Sequence, residues 1–367
     1  MKAIILGGGL MGTATAFFLA RRGHRVTLIE RRQIGAGATV ASFGNIRRSG
    51  RYLPQMPLAN RSLALWNRLA RMLNQDVEFR ATGHLRLIFD SHGLEKMRQF
   101  RADAMDWGLT LQELDPGDIR RRFPGLGPEA IAASFSPQDG SANPRLIAAA
   151  FARAAVQNGA ALVERASVER ISETAQGFHV ATPNQTYSGD VLVNCAGGWG
   201  PDIARVFGEE VPCRLAGPQM AVTEPLPHRI HPVVGVWARD HGAYLRQVER
   251  GNVVFGGAVA RSKPDRNGFA RVDAAGLRTQ LQAVVRLVPA LRGVAVIRQW
   301  SGCEGYISDM LPVIGPSATT PGLFHAFGFC GHGFQLGPGV GDAMAELIST
   351  GDCVTPLAPF HISRFAA

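Results

Sequence analysis

Residues 4–12 are Ile-Ile-Leu-Gly-Gly-Gly-Leu-Met-Gly, which places the pattern G-x-G-x-x-G directly after an apolar run. The apolar run predicts a buried strand, residues 13–22 predict a helix, and residues 26–29 predict a second strand. This second strand is followed by Glu30, close to the spacing of about 20 residues expected of an acid that binds a ribose. A strand, spaced glycines, a helix, a strand and an acid in this order are typical of a dinucleotide-binding unit.

Each glycine of the pattern has its own physical reason. Gly7 permits a tight turn, Gly9 lets the backbone approach a pyrophosphate, and Gly12 lets the helix pack closely on the sheet. The N–H groups at the start of the helix, together with the positive end of its dipole, attract phosphate. The turn therefore predicts a nucleotide site.

A signal peptide is the alternative interpretation, because residues 3–20 carry no charge. Three consecutive glycines interrupt the run where a signal would be most apolar, and only Lys2 supplies an n-region. Arg21, Arg22 and His24 follow without a convincing cleavage site. These features favour the nucleotide turn.

Composition predicts an ordinary globular protein with two lobes. The chain has 367 residues, of which 46% are hydrophobic and 19% are charged, and this length is large for a single core. No later segment offers 18 uncharged apolar residues, so we expect no membrane span and at most a peripheral membrane association.

The formal net charge of +10 comes from 39 basic residues, of which only Lys2, Lys96 and Lys263 are lysines. The arginines are scattered in short groups without an aromatic-interleaved basic stripe, a pattern that favours solvated arginines over nucleic-acid binding. An anionic substrate or a partner protein remains compatible with the charge.

Five cysteines stand at positions 195, 213, 303, 330 and 353. Their odd number and the lack of a C-x-x-C pair argue against a disulfide framework, a zinc site or an iron–sulfur cluster within this chain. We therefore expect no metal site and a cytoplasmic location, and an iron–sulfur centre would have to come from a partner.

The order of predicted elements indicates an α/β fold with a discontinuous Rossmann-like nucleotide domain at residues 1–80, 141–211 and 301–367. Residues 81–140 and 212–300 predict an antiparallel sheet with helices, which suits an α+β substrate domain. Residues 33–50 have no helical period and predict a loop, and a glycine-rich turn near residue 330 precedes a predicted helix at residues 339–350.

Three segments together resemble the D-amino-acid oxidase superfamily of flavoproteins, which includes glycine oxidase, sarcosine oxidase and D-amino-acid dehydrogenase. They are the opening fingerprint, Asn194-Cys195-Ala196-Gly197-Gly198-Trp199, and the run from Gly328 to Pro338 with its G-x-x-G-H-G-F pattern. The resemblance covers essentially the whole chain. Residues 41–45 look like D-amino-acid dehydrogenase, whereas residues 300–306 and 309–315 look most like the β subunits of opine oxidases and of proline or hydroxyproline dehydrogenases.

The resemblance implies an FAD site closed from both ends of the chain. The implied cofactor-binding residues are Gly7, Gly9, Leu10, Met11, Gly12, Glu30, Arg31, Thr39, Gly44, Asn45, Ile46, Val168, Ala196, Gly197, Trp199, Gly331, His332, Gly333, Phe334 and Gln335. A helix start after His332 suits the flavin pyrimidine, because reduced flavin is anionic and N–H groups stabilise developing negative charge. A histidine on a surface turn is the alternative. The position at which sarcosine oxidases attach flavin to a cysteine here lies within Pro312-Val313-Ile314-Gly315, so non-covalent FAD is expected.

The implied reaction is hydride transfer from an amine-bearing carbon to the flavin, which gives an imine that water hydrolyses. This chemistry mainly requires orientation of the C–H bond and a deprotonated amine, so no catalytic residue is assigned from the sequence. The expected substrate is a secondary or D-amino acid of the hydroxyproline, proline or opine type. A primary or N-methyl amino acid, as in glycine or sarcosine oxidation, is the alternative.

Glu304 is the main departure from the family, whose members carry a carboxylate-binding arginine at this position. A carboxylate here suits a cation, such as a substrate amine or guanidinium. Arg246 then becomes the candidate clamp for the substrate carboxylate, because a guanidinium binds a carboxylate bidentately. Tyr244 resembles the substrate-facing tyrosine of the family, and Arg47 and Arg48 are further candidates. Ordinary strand-edge charges are the alternative for Arg246 and Glu304.

Two other functions remain open at this point. One is an NAD-dependent dehydrogenase, although a C-terminal glycine-rich turn is not needed to bind nicotinamide. The other is a flavin-binding subunit without chemistry of its own. The resemblance also implies a partner subunit that carries FMN, FAD or an iron–sulfur cluster for electron transfer.

Overall fold

The structure is a computed structural model that describes residues 1–227, 230–238, 242–265 and 268–366. Helices and strands are each numbered along the chain. The α-helices are α1 (Leu10–Arg21), α2 (Ala38–Ala41), α3 (Met56–Trp66), α4 (Leu69–Met72), α5 (Ser91–Met105), α6 (Pro116–Arg122), α7 (Pro144–Gln157), α8 (Gly200–Val206), α9 (Ala274–Leu287) and α10 (Gly333–Thr350). None of the described helices is long and apolar enough to cross a lipid bilayer.

One sheet carries the opening fingerprint. Its strands, in spatial order, are β20 (Val313–Pro316), β21 (Leu323–Phe327), β12 (Val191–Asn194), β1 (Lys2–Leu6), β2 (Arg25–Ile29) and β8 (Ala161–Val163). All neighbours are parallel except the edge pair of β20 and β21. Ile4, Ile5 and Leu6 are buried, as expected of a parallel strand that is covered on both faces.

A second, larger sheet is formed by strands from residues 84–301. In spatial order these are β18 (Val296–Ser301), β14 (Gln219–Pro225), β17 (Asn252–Gly256), β16 (Tyr244–Gln247), β15 (Val233–Val236), β4 (His84–Ile88), β6 (Ala132–Ser136) and β5 (Gln112–Leu114). The predicted antiparallel arrangement holds for every neighbouring pair of this sheet except β4 and β15, which pair in parallel. These two strands come from separate stretches of the chain, so no hairpin fixes their direction.

Three small sheets complete the described strands. They are β11 (Thr186–Gly189) with β10 (Gly177–Ala181) and β9 (Arg170–Thr174), β13 (Cys213–Ala216) with β19 (Glu304–Ile307), and β3 (Asn45–Ile46) with β7 (Gly140–Ser141). Residues 33–50 are therefore not wholly a loop, since they contain α2 and β3.

The fold class predicted from the sequence is confirmed as α/β, with a Rossmann-like sheet and a second sheet. The strands of the two large sheets fall in the two sets of residues into which the sequence divides the chain, except that β18 extends one residue past position 300. The division into two domains stays a prediction.

The C-terminal helix begins at Gly333, earlier than the predicted start at residue 339, and it continues through Pro338. Proline has no N–H and normally interrupts a helix. Here α3 supplies partners for the Gln335 carbonyl and the Gly339 N–H, the helical pair next to the proline. The Ser62 hydroxyl and the Trp66 indole both donate to the Gln335 carbonyl, and the Gly339 N–H donates to Ser62 Oγ at 3.1 Å. Tertiary contacts thus keep the helix intact across the proline.

Candidate functional site

The glycine turn between β1 and α1 is too tight for side chains. Gly7 has a φ of +105°, and a Cβ there would lie 2.4 Å from the Cys195 carbonyl oxygen. A Cβ on Gly12 would lie 1.9 Å from the Gly7 carbonyl oxygen. The helix therefore starts directly against the turn, which supports the physical reasons given for these two glycines.

The helix start is also tied to the loop that follows β2. The Leu10 N–H, the first of α1, donates to Thr39 Oγ1 at 3.0 Å. N–H groups of a first helical turn have no acceptor within the helix itself. The start of α1 is thus a set of donors that faces the same space as Thr39.

Glu30 is held rigidly at the end of β2. One carboxylate oxygen accepts the Gly8 N–H at 2.7 Å and the other accepts the Arg32 N–H at 2.7 Å. A carboxylate has about four acceptor positions, so Glu30 can still accept hydrogen bonds from ribose hydroxyls.

A cavity of about 430 Å³ connects these groups. It extends from the region of Val168 and Trp199, past the glycine turn, to Gly331 and Phe334 near the C-terminus. The predicted cofactor residues in its wall are Gly7, Gly9, Leu10, Met11, Glu30, Arg31, Thr39, Val168, Ala196, Gly197, Trp199, Gly331, Gly333 and Phe334. The Arg31 guanidinium stacks 3.8 Å from the Trp199 ring centroid and closes one end.

Six predicted cofactor residues do not lie in this wall: Gly12, Gly44, Asn45, Ile46, His332 and Gln335. The Gln335 side chain donates to the Ala59 carbonyl instead, so it packs against α3. Strand β3, formed by Asn45 and Ile46, pairs with β7, and the Gly44 carbonyl accepts the Ala142 N–H. The buried Asn45 Oδ1 has no partner among the described residues. Their roles toward the cofactor stay predictions.

The sequence missed several wall residues that carry no distinctive motif. They include Arg32, Ser42, Ser167, Asp202 and Cys303. The small residues Gly37 and Ala38 also line the cavity, and the small-residue composition of the loop at 33–50 is the signal that could have indicated them.

The C-terminal turn brings a second helix start to the cavity. His332 precedes α10, and the Arg51 guanidinium donates to the His332 carbonyl at 3.1 Å. Burial and nearby arginines, including Arg47, hold the pKa of His332 well below its usual value. The imidazole is therefore neutral at neutral pH, and its Nδ1 is buried without a partner among the described residues.

Glu304 lies in the cavity wall, close to Gly331. The Tyr306 hydroxyl donates to Glu304 Oε2 at 2.6 Å, and a Cβ on Gly331 would lie 3.5 Å from both of these oxygens. Burial raises the pKa of Glu304, although the hydrogen bond from Tyr306 opposes this shift. A carboxylate with this environment can bind a cation or accept a proton.

The other predicted substrate residues have contacts outside this wall. Arg246 Nε donates to the Phe43 carbonyl at 2.7 Å, and the Tyr244 ring packs 4.7 Å from the Phe43 ring. The Arg48 guanidinium donates to Asn60 Oδ1 at 2.8 Å and to the Gln138 side chain. These contacts favour structural roles for Arg246 and Arg48, and their contact with substrate stays a prediction.

Sequence reasoning missed two arginines near His332, the buried Arg51 and the half-buried Arg86, because arginines inside a protein are rarely assigned from sequence. Arg51 and Arg86 join the previously considered Arg47, and burial lowers the pKa of all three, that of Arg51 to about 9. Asp139 offsets part of their charge, but its oxygens accept the N–H groups of Arg48 and Ser49. The surroundings are therefore electropositive.

These features fit FAD. The glycine turn has no room for a side chain, and an acid lies at the position expected to bind the ribose. The first residues of α1 and of α10 both line the same cavity. The residues that would hold the pyrophosphate are Gly7, Gly9 and the start of α1, whereas Gly331 and Gly333 would lie at the flavin. The fold and site define a flavin-dependent member of the dinucleotide-binding class.

Comparison with known proteins agrees with this class. The family described as FAD dependent oxidoreductase matches residues 2–347, and the chain belongs to it. Glycine oxidase of Geobacillus kaustophilus is 29% identical over 98% of this chain and 96% of its own length. Sarcosine oxidase subunit beta of an Arthrobacter species is 28% identical over 99% of this chain and 90% of its own length.

Among solved structures, L-proline dehydrogenase from P. horikoshii superposes with a TM-score of 0.93 at 28% identity, over 99% of this chain and 97% of that chain. Not every relative is of similar length, since the chain spans 45% of the rat dimethylglycine dehydrogenase, to which it is 27% identical. The chain is thus an FAD-dependent oxidoreductase of the amino-acid oxidase and dehydrogenase class, with FAD as its cofactor.

Proposed function

We propose that this protein dehydrogenates the C–N bond of a secondary or D-amino acid. The observation that carries the proposal is the position of Glu304 in the cavity wall beside the Gly331 turn, where its carboxylate accepts the Tyr306 hydroxyl. A carboxylate at this position suits a substrate that presents an amine to the cofactor.

FAD, when bound, supplies the acceptor for the hydride that leaves the carbon next to nitrogen. Glu304 binds the substrate ammonium, and its raised pKa lets it take the proton that the amine must lose. Tyr306 orients the carboxylate through the hydrogen bond at 2.6 Å. The walls of the cavity hold the C–H bond in place, which is the main requirement of this chemistry.

The arginines near His332 support a substrate that carries a carboxylate. Arg47 and Arg86 are half-buried, although burial strongly disfavours their charged forms. Any positive charge that these arginines carry acts on His332 and attracts carboxylates, and this favours an amino acid over a simple amine.

The names of the relatives concern the amino acids glycine, sarcosine and L-proline, of which sarcosine and proline carry a secondary amine. Within the class we propose a hydroxyproline, proline or opine type, since Glu304 can accept a secondary amine or a guanidinium. A primary or N-methyl amino acid is the alternative that the same site can bind.

The test is anaerobic reduction of the purified holoprotein. A yellow protein with bound flavin is expected, and the flavin band should bleach on addition of the true substrate. The screen covers D-amino acids, L- and D-proline, hydroxyproline isomers, opines, glycine and sarcosine. If no amino acid bleaches the flavin, the proposal is wrong and a non-catalytic role of the cofactor is favoured.

We also propose that the protein works as one subunit of a complex, because sarcosine oxidase subunit beta is a subunit by name. A partner that carries FMN, FAD or an iron–sulfur cluster would accept the electrons. Slow reoxidation of the reduced flavin by oxygen would support such a partner, and fast reoxidation would argue for an oxidase. A cytoplasmic location and non-covalent FAD stay predictions.

A further inference from the structure

Two neighbouring backbone pairs bring distant segments close to Glu304, which lies in the cavity wall. In the β13–β19 pair, Ala216 lies opposite Glu304. The next residue, Gly217, exchanges two backbone hydrogen bonds with Ser262, at 2.7 and 2.9 Å. The segment that follows β17 is thereby fixed beside Glu304.

This register places Arg261 over Tyr306. The Arg261 guanidinium carbon lies 4.4 Å from the centroid of the Tyr306 ring, within the range of a cation–π contact. The hydroxyl of the same tyrosine donates to Glu304. One tyrosine thus carries a carboxylate at its hydroxyl and a guanidinium at its face.

Arg261 has the properties of a binding group more than those of a structural one. Its side chain makes no hydrogen bond or ion pair within residues 1–227, 230–238, 242–265 and 268–366, and it is half-buried. Arg246, in contrast, is nearly fully buried and donates to a backbone carbonyl. A guanidinium has five N–H donors in a fork that matches a carboxylate.

Arg261 also lies within electrostatic range of Glu304 and of three other titratable side chains. Its charge acts on Glu304, Tyr244, Tyr52 and His332. Arg261 and Glu304 form no ion pair in the described part of the chain, but the charge of Arg261 still acts on Glu304, so the two opposite charges are separate but near. A zwitterion, with ammonium and carboxylate a few ångströms apart, complements such an arrangement.

We propose that Arg261 binds the carboxylate of the substrate while Glu304 binds its amine, with Tyr306 holding both groups in place. This inference rests on the proposed function, since it concerns the same site. It assigns specificity for α-amino acids over simple amines to Arg261, whereas Arg246 keeps a structural role.

The first experiment measures binding without turnover. Methylthioacetate has a carboxylate and no C–N bond, so it can occupy the site without being oxidised, and its binding is followed by the shift of the flavin absorption band of the holoprotein. We expect Arg261→Gln to weaken binding about 10- to 100-fold, as for loss of a charge-assisted hydrogen-bonded pair. The affinity of Arg261→Lys for methylthioacetate should lie between those of wild type and Arg261→Gln, because lysine keeps the positive charge but lacks the forked donors of the guanidinium.

Arg214→Gln is the matched control. The Arg214 guanidinium lies 5.5 Å from the same ring centroid, but the residue is exposed. Its substitution should change the affinity for methylthioacetate by less than about twofold. Equal affinities of wild type and Arg261→Gln, an equal loss in Arg214→Gln, or no binding by wild type would each overturn the inference.

The second experiment uses the true substrate, once it is known, and separates this inference from the proposed function. Arg261→Gln should raise KM with little change in kcat, because carboxylate binding is shared by ground state and transition state. An unchanged KM would contradict the inference and leave amino-acid oxidation intact. Conversely, Arg261-dependent binding of methylthioacetate without bleaching by any amino acid would contradict the proposed function only.

Discussion

Substitution of Glu304 gives the most direct test of the proposed chemistry. We expect Glu304→Gln to weaken the apparent affinity for the substrate at least about tenfold, because a neutral amide loses the charge that pairs with the ammonium. Flavin content should stay unchanged. Glu210→Gln is the control, since Glu210 pairs with Arg205 on the surface. Unchanged affinity in Glu304→Gln would show that Glu304 does not bind the amine.

The same residue should give substrate binding a pH dependence. Burial raises the pKa of Glu304, so the carboxylate takes up its proton at a higher pH than an ordinary glutamate does. Affinity for an ammonium substrate should therefore fall as the pH is lowered through that raised pKa. This limb of the pH profile should be missing in Glu304→Gln.

Residue-scale chemistry was only partly predictable from the sequence. Glu304 stood out because a motif position held the wrong charge, and Glu30 because its spacing from the glycines is regular. Arg261 and Arg86 gave no such signal, since each lies in an ordinary strand or loop pattern. Arg246 looked like a clamp in sequence, but its guanidinium donates to the Phe43 carbonyl, and no local pattern reports a contact across 203 residues.

At the scale of elements, α1 is packed on both sides through glycines. Gly12 faces the Gly7 carbonyl of the nucleotide turn, whereas Gly341 of α10 faces Ala14 of α1, where a Cβ would lie 2.5 Å from the Ala14 Cβ. The two glycines give matched substitutions at two different contacts of the same helix. Only one of them touches the turn.

Gly12→Ala and Gly341→Ala should each lower the free energy of unfolding by about 1–3 kcal/mol through overpacking. Only Gly12→Ala should release FAD, because its new methyl group displaces the turn itself. Denaturant unfolding of the apoproteins and flavin content of the purified proteins measure the two effects. FAD retention in Gly12→Ala equal to that in Gly341→Ala would contradict the assignment of the turn.

Element boundaries were predictable where local signals agreed. The strand–turn–helix at residues 2–21 follows from apolar runs and glycines. The start of α10 did not, because Pro338 indicates a break, and the groups that repair it, Ser62 and Trp66, lie far away in sequence. The parallel pairing of β4 and β15 likewise depends on chain segments that no local pattern connects.

At the scale of the whole molecule, a buried acid–imidazole pair joins the nucleotide sheet to the segment after α8. Glu209 lies 2.8 Å from His325 Nε2 on β21 and accepts the Ala318 N–H at 2.6 Å. Burial by itself would raise the pKa of Glu209, but these hydrogen bonds outweigh it and lower the pKa. The charged carboxylate is thus the form that the fold stabilises.

The stability of the whole protein should therefore fall on acidification. Because the folded-state pKa lies below the unfolded value of about 4.3, the stabilisation is complete above that value and is lost as the pH falls through the folded-state pKa. Glu209→Gln should lower the free energy of unfolding at pH 7 by about 1–3 kcal/mol and flatten its dependence on pH below 5. Unfolding curves between pH 3 and pH 7 measure both effects, and an unchanged slope would exclude Glu209 as their source.

The two ends of the chain meet in one sheet and around one cavity. Strand β12 lies between β1 and β21, and the cavity wall combines residues 6–11 with residues 328–334. A nascent chain that stops before residue 323 can form the opening turn but has neither β21 nor α10 to complete the site. Cofactor capture consequently has to wait for the synthesis of these elements, and a product truncated before them would be released colourless, with the apolar face of α1 uncovered for proteases to recognise.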